Sequence, residues 1–294
     1  VLINSGHANA CTGERGWVDS LRATDAVANL LRLSAEEILI CSTGVIGQPI
    51  PMDNLLMALD SLVENLSSEG GHAAAQAILT TDLVEKEIAF EADFGGQKVR
   101  IGGMAKGSGM IHPNMATMLG YLTCDVGIPK VIWEELIYKV IKQSFNSITV
   151  DGDTSTNDSF LAFTSGDQLS QKYWDHLEKG LLLVCQHLAK AIARDGEGAN
   201  CLLEVEVLGT LNSVEARHIA RVIAGSSLVK TAINGCDPNW GRIIAAAGRS
   251  GVSIAAKNIN LWLGSFQLMK AGEPLNFNQE KVSNYIKQKM KGEY

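Results

Sequence analysis

The chain has 294 residues, 46% of them hydrophobic and 19% charged, which is the composition of a folded globular protein rather than a disordered one. Its net charge of −7, without a run of Lys and Arg, argues against a nucleic-acid partner, because binding phosphate requires a basic surface. No apolar run reaches the roughly 20 residues of a membrane-spanning helix, so a membrane is not expected as a partner either.

The first third of the chain predicts strands and helices in alternation. The opening "VLINSG" is typical of a strand that enters a turn, and 38–41 of a buried strand before a turn that contains glycine. Ser34 and Glu37 have the spacing of a capping box. Helices are predicted from the spacing of apolar residues over 18–33, 52–66 and 71–78.

The remainder mixes the same elements. Alternating residues on both sides of Gly95-Gly96 predict a β-hairpin over 87–103. Further strands are predicted over 117–126, 147–150 and 201–209, and further helices over 130–143, 174–194 and 213–225. This mixture favours a layered α/β or α+β fold over a doubly wound parallel sheet. A composition shift near 126–130 is the one candidate domain boundary.

Several familiar motifs are incomplete. The six cysteines contain no C-x-x-C pair, which is typical of reduced thiols in a cytosolic protein rather than of a zinc site. "GSGMIH" and "GEGANC" lack the third glycine of a dinucleotide-binding loop, and "AKGSG" reverses the order of a P-loop. "DGDTSTND" lacks the turn glycine and the glutamate of a calcium loop. The histidines show no ligand spacing, so no metal site is expected.

In the segment "KGSGMIHPNMATML" (106–119), apolar residues crowd around the hydroxyl of Thr117. A threonine hydroxyl becomes a good nucleophile when a base removes its proton, and the α-amino group of an N-terminal threonine can act as that base. Thr117 would gain such an amine only if the bond after Ala116 were cut. By residue type alone, a buried strand threonine remains the more common alternative.

This segment resembles the self-cleaving segment of the ornithine acetyltransferase family, also called glutamate N-acetyltransferase, the bifunctional acetyltransferase of arginine biosynthesis. Six further motifs resemble that family in its own order, so that the resemblance covers essentially the whole chain. They are "NSGHANACTG" (4–13), "STGVIG" (42–47), "LTTD" (79–82), "ITVDGDTSTND" (148–158), "ARDGEGA" (193–199) and "GCDPNWGRIIAAAGRSG" (235–251).

The resemblance implies a fold and a set of site residues. The fold is a layered αββα sandwich with a self-cleaving site like that of N-terminal nucleophile enzymes, plus a smaller mixed α/β part. Cleavage between Ala116 and Thr117 would give an α chain, 1–116, and a β chain, 117–294, with Thr117 as nucleophile. Thr43 and Gly44 would form the oxyanion hole. The implied substrate-binding residues are Thr80, Lys106, Thr117 and Glu197.

The implied reaction moves the acetyl group of N2-acetylornithine to L-glutamate through an acetyl ester of Thr117 and releases ornithine. It requires no metal or organic cofactor, and acetyl-CoA remains open as an additional acetyl donor. The implied assembly is an α2β2 heterotetramer in the cytoplasm, or in the mitochondrial matrix of a eukaryote. Family members carry a longer N-terminal part and a C-terminal tail that closes the substrate site, and this chain is expected to lack both.

Other interpretations stay open at this point. "STGVIG" on its own is typical of a turn after a buried strand, and Lys106 and Glu197 on their own are typical of solvated surface charges. A self-cleaving amidase or aminopeptidase of similar fold would use water as the acceptor. A third hypothesis is a protein that only binds or assembles.

Overall fold

A computed structural model describes residues 1–112 and 118–290. The chain folds as two compact units. The first comprises Val1–Ile148 and Asp153–Glu197, and the second Thr149–Gly152 and Gly198–Tyr294. Among the described residues, no helix combines the length and the apolar character that crossing a membrane requires.

The first unit alternates strands and helices along the chain. Its elements are β1 (Leu2–His7), α1 (Gly13–Leu31), β2 (Ile40–Val45), α2 (Met52–Glu64), α3 (Gly71–Ala77), β3 (Lys86–Phe94), β4 (Gln97–Lys106), β5 (Leu119–Cys124), α4 (Lys130–Lys142), β6 (Ser159–Thr164) and α5 (Trp174–Arg194).

Strands β1 and β2 form a parallel pair in which Ser5 lies opposite Thr43 and Gly6 opposite Gly44. Helices α1 and α2 pack against each other and against this pair. Burial of their apolar faces contributes about 25 cal/mol per Å² removed from water. The shared cluster consists of Leu2, Ala23, Val27, Ala28, Ile38, Ile50, Met52 and Leu59.

The four other strands form a sheet in the order β3-β4-β5-β6, antiparallel except for the parallel pair β5 and β6. Successive strand residues point to opposite faces of a sheet. On one face Gly103 lies against Leu188 of α5, which itself packs on α4. On the other face Met104 and Tyr121 join a cluster that includes Cys41 of β2. The layers therefore run helix, sheet, sheet, helix, which confirms the predicted αββα sandwich.

The second unit is smaller and also mixes helices with a sheet. Its elements are α6 (Ser213–Ala224), α7 (Ser227–Asn234), α8 (Trp240–Gly248), β7 (Leu261–Leu263), β8 (Phe266–Lys270), β9 (Glu273–Pro274) and α9 (Gln279–Met290). The three helices α6, α7 and α8 share a core, and the strands form an antiparallel sheet. Phe266 packs against Tyr285 of α9, with ring centroids 5.6 Å apart.

Most predicted helices and the hairpin are confirmed. The helix predicted over 174–194 is Trp174–Arg194, and the hairpin turns at Gly95-Gly96 between β3 and β4. The capping box is present, because the Ser34 side chain accepts a backbone N–H and Glu37 accepts the N–H of Ser34. Helix α1 begins at residue 13 rather than 18, since the glycines in its first turn hide its start in the sequence.

Three predictions about strands and boundaries are wrong. Residues 147–150 form no strand; β6 takes the place next to β5 instead. Residues 201–209 alternate in the predicted way and direct Leu203, Val205 and Val207 to the core of the second unit, but without a strand ladder. The composition shift near 126–130 falls inside the first unit and marks no folding boundary.

Candidate active site

Thr43 and Gly44 lie within β2, not in a turn after it, since the strand continues to Val45. The interpretation of "STGVIG" as a turn at these two residues is therefore wrong. Gly44 has a φ of +131°, and a Cβ there would lie 2.2 Å from the carbonyl carbon of Gly6. Only glycine fits both the conformation and the close approach. Thr43 beside it is 4% exposed, so its hydroxyl is almost completely removed from bulk water.

Lys106 ends β4 and is buried, which contradicts its interpretation as a solvated surface charge. Its Nζ donates to Oγ1 of Thr80 at 2.7 Å and to Oγ1 of Thr43 at 3.3 Å. Three of the predicted site residues, from three separate segments, therefore meet at one ammonium. Burial lowers the pKa of Lys106, and the nearby carboxylate of Asp82 partly offsets that effect.

Behind Lys106 lies a buried cluster of charged side chains that the sequence did not reveal. Lys86 Nζ donates to Asp82 Oδ1 at 2.8 Å and to Asp195 Oδ2 at 2.6 Å. The side chains of Lys86 and Asp82 are both 0% exposed. Asp82 Oδ2 lies 3.6 Å from Lys106 Nζ. Two cations and two anions thus share the interior, as buried charges require partners of opposite sign.

Glu197 is exposed and follows α5, where it contacts Thr81 and the glycine loop, residues 107–109. Its N–H donates to the Ser108 carbonyl at 2.9 Å, and its Oε1 accepts from Thr81 Oγ1 at 2.6 Å. A Cβ on Gly109 would lie 2.5 Å from that same carboxylate oxygen, so a side chain there would displace Glu197. Thr81 follows Thr80 in the chain, so within "LTTD" Thr80 binds Lys106 and Thr81 binds Glu197.

The motif "TSTND" lies next to the start of β5. Asn157 Nδ2 donates to the carbonyl groups of Ala8 and Ser42 at 2.5 and 3.0 Å and so connects the residue after β1 to the middle of β2. Asp158 Oδ1 accepts the N–H of Met118 at 3.1 Å. Its other oxygen, Oδ2, is buried without a hydrogen-bond partner among the described residues. Burial raises the pKa of Asp158 to about 7.

Ala116 and Thr117, the predicted cleavage site and nucleophile, lie outside the described residues. The structure brings together Thr43, Gly44, Thr80 and Lys106, and connects Glu197 to them through Thr81. Sequence reasoning missed Thr81, Asp82, Lys86, Asp158 and Asp195 as part of this site. Three of the motifs that carried the family resemblance, "LTTD", "ITVDGDTSTND" and "ARDGEGA", contain four of the five; Lys86 gave no such signal.

The raised pKa of Asp158 predicts a pH dependence of stability. The folded protein holds this proton up to a pH of about 7, whereas an unfolded Asp releases it near pH 4. The unfolded state therefore binds fewer protons between these values, and the free energy of unfolding should fall as the pH rises from 4 to 7. Urea unfolding at several pH values should show a weaker fall in Asp158→Asn than in the wild type.

A matched control is Asp125→Asn. Asp125 is exposed and accepts one backbone N–H, that of Arg100, at 2.7 Å, so it shares the contact of Asp158 without its burial. It should keep the pH dependence of the wild type. Equal slopes in the wild type and Asp158→Asn would show that Asp158 is already ionised in the folded state.

A sequence model of the ArgJ family matches residues 1–291, nearly the whole chain. The chain belongs to the ArgJ family. Curated ArgJ relatives include the arginine biosynthesis bifunctional protein ArgJ of Prochlorococcus marinus strain MIT 9313, which is 64% identical over 294 residues, or 100% of this chain and 69% of the relative. The protein of that name from Parasynechococcus marenigrum strain WH8102 is 61% identical over 98% of this chain and 70% of its own length.

A crystal structure of the arginine biosynthesis bifunctional protein argJ from Bacillus halodurans is also similar. It superimposes with a TM-score of 0.56 and 42% identity, over 58% of this chain and 84% of that one. The ArgJ assignment confirms the family predicted from the motifs. Within residues 1–112 and 118–290, no group of three or more His, Cys, Asp or Glu side chains is arranged to hold a metal ion.

Proposed function

We infer that the protein transfers the acetyl group of N2-acetylornithine to L-glutamate, as a step of arginine biosynthesis. The ArgJ relatives bear arginine biosynthesis and a double activity in their names. The observation that carries the inference is the meeting of Thr43 and Thr80 at the buried ammonium of Lys106. An ammonium flanked by hydroxyl groups suits the carboxylate of an amino acid, because charge-assisted hydrogen bonds are the strong ones.

The first half of the reaction makes an ester. The α-amine of Thr117 takes the proton of the Thr117 hydroxyl, whose oxygen attacks the acetyl carbonyl. The Thr43 hydroxyl and the Gly44 N–H stabilise the oxyanion that develops. Since Thr43 Oγ1 accepts from Lys106, its own proton is left to donate to that oxyanion. The carbon–nitrogen bond then breaks, and ornithine leaves with the proton that the amine had held.

The second half reverses these steps with glutamate as acceptor. The amine of glutamate attacks the ester carbonyl, the Thr117 oxygen leaves and regains a proton, and N-acetylglutamate is released. Lys106 has three N–H groups, and the two hydroxyl groups accept two of them, which leaves one for a substrate carboxylate. Glu197, held by Thr81, suits the side-chain ammonium of ornithine.

Maturation and assembly belong to the same proposal. Cleavage after Ala116 would give Thr117 its amine and divide the protein into an α chain, 1–116, and a β chain, 117–294. An α2β2 assembly, a cytoplasmic location and a reaction without cofactor stay predictions from the resemblance. The word "bifunctional" in the names of the relatives supports acetyl-CoA as a second donor, and with it direct acetylation of glutamate.

The runner-up, an amidase or aminopeptidase, differs in the acceptor. Incubation of the purified protein with N2-acetylornithine should release ornithine rapidly when L-glutamate is present, and N-acetylglutamate should form in equal amount. Without glutamate, ornithine release should stop after about one equivalent per nucleophile, because the ester waits for an acceptor. Continuous release of free acetate, independent of glutamate, would identify a hydrolase and contradict the proposal.

A further inference from the structure

Asp82 holds parts of three segments of the candidate site together. Its Oδ1 accepts the N–H of Gly107 at 2.6 Å and Lys86 Nζ at 2.8 Å. Its Oδ2 accepts the N–H of Thr80 at 3.2 Å and lies 3.6 Å from Lys106 Nζ. Thr80 and Lys106 are both substrate residues in the proposed function, and Gly107 begins the glycine loop. One carboxylate therefore sets the relative positions of groups 26 residues apart in the chain.

The distances also show which lysine Asp82 binds more tightly. Lys86 Nζ is within hydrogen-bond distance of Asp82, whereas Lys106 Nζ, at 3.6 Å, is attracted by charge but not hydrogen-bonded. Lys86 is held from behind by Asp195 Oδ2 at 2.6 Å and by the Val84 carbonyl at 3.1 Å. Because these contacts hold Lys86 in place, Lys86 and Lys106 share the negative charge of Asp82.

We propose that Asp82 is a positioning residue of the amino-acid site, which keeps Lys106 charged and in place, and that Lys86 limits this hold so that Lys106 can still bind a substrate carboxylate. The proposal rests on the proposed function, which makes Lys106 a substrate residue. A lysine paired fully with its own carboxylate would have to break that pair to bind substrate. A lysine with no carboxylate near it would lose its proton more easily in the protein interior.

Within the part of the chain that the structure describes, the charged groups that act on Lys106 are Asp82, Lys86 and Glu197. Burial lowers the pKa of Lys106, Asp82 and Glu197 act to raise it, and Lys86 acts to lower it. Burial acts to raise the pKa of Asp82, but the hydrogen bonds from Lys86 and Gly107 and the charge of Lys106 bring it below its ordinary value. Asp195, the remaining charged side chain of the buried cluster, contacts Lys86 directly.

Replacement of Asp82 and replacement of Lys86 are expected to shift the pH profile of kcat/KM in opposite directions. In Asp82→Asn the alkaline loss of kcat/KM should move to lower pH by about one unit, since a neighbouring charge shifts a pKa by roughly 1–3 units. In Lys86→Met it should move to higher pH, because Asp82 then acts on Lys106 alone. Both variants should raise KM for N2-acetylornithine about tenfold and change kcat less. General destabilisation does not produce opposite shifts.

A matched control is Asp93→Asn. Asp93 also accepts a glycine N–H in a turn, that of Gly96 at 2.6 Å, but on the exposed hairpin. It should leave the pH profile unchanged. If a single variant is isolated unfolded, Asp82→Asn/Lys86→Met removes one charge of each sign and keeps the buried cluster neutral. That double variant should also shift to lower pH, because Asp82 acts on the pKa of Lys106 more strongly than Lys86 does.

Binding of L-glutamate, measured by calorimetry between pH 7 and 11, repeats the test without turnover. The amine of L-glutamate titrates in the same way in every experiment, so its contribution cancels when the pH dependence of a variant is compared with that of the wild type. Shifts of one sign in both single variants, or no shift in any folded variant, would overturn the role of Asp82 and Lys86. Absence of acetyl transfer by the wild type in the same assay would instead overturn the proposed function, so that the two failures are distinguishable.

Discussion

Replacement of Thr117 by valine is expected to abolish both the cut after Ala116 and acetyl transfer. Valine has the shape of threonine but lacks the oxygen, so neither step retains its nucleophile. Only binding and the oxyanion hole would remain, and in a serine protease the corresponding loss in kcat is on the order of a millionfold. Gel electrophoresis should show one uncut chain, and the transfer assay should show no product above background.

Thr117→Ser is the matched control, because it keeps a hydroxyl and should keep part of the cleavage and part of the activity. Thr117→Ala should behave like the valine variant. Circular dichroism and thermal unfolding should show that all three variants fold, since each replacement alters one small side chain. A valine variant that is still cut and still active would disprove Thr117 as the nucleophile.

Thr43→Val is expected to lower kcat by about a hundred- to a thousandfold, the usual effect of the loss of one oxyanion-hole donor. The side chain is 4% exposed and lies in a strand, so valine should fit its volume. What disappears is a hydroxyl that accepts from Lys106 at 3.3 Å and that, in the proposed mechanism, donates to the oxyanion. Steady-state kinetics should show the effect mainly in kcat, with slower self-cleavage of the same variant.

Thr24→Val provides a comparison of the same chemistry. Thr24 is also buried, at 9% exposed, and its hydroxyl donates to the Leu21 carbonyl within α1, away from Lys106. It should change kcat less than twofold, whatever its effect on stability. Equal losses of activity in Thr43→Val and Thr24→Val would show that the oxyanion role of Thr43 is wrong and that the loss of a buried hydroxyl is enough.

Helices α1 to α6 were predicted from the sequence, most directly where apolar residues repeat at helical spacing, whereas α7, α8 and α9 were not predicted. Helix α5 is the clearest example, with a predicted span equal to the observed one. A strand depends in addition on a partner that the sequence does not show. Residues 201–209 alternate as a strand does and bury their apolar side chains, yet they form no hydrogen-bonded ladder with another strand. Strand β6, in contrast, was not predicted and pairs with β5.

The candidate site was predicted by resemblance rather than by geometry. Motif similarity named Thr43, Thr80 and Lys106, and the structure then showed a physical reason for their combination, a shared ammonium. Among the supporting charges, Lys86 lies in none of these motifs and could not be found in this way. Lys86 contacts Asp195 across 109 residues, and no local pattern shows that a lysine in a hairpin strand is buried against a carboxylate after a distant helix.

The central claim is that Thr117 becomes a chain terminus and carries the acetyl group. The most direct test is the mass of the purified protein, intact and after brief incubation with N2-acetylornithine without glutamate, followed by N-terminal sequencing of the smaller product. We expect two chains, one of which begins at Thr117 and gains one acetyl group on that residue. A single uncut chain, a different first residue, or an acetyl group elsewhere would contradict it.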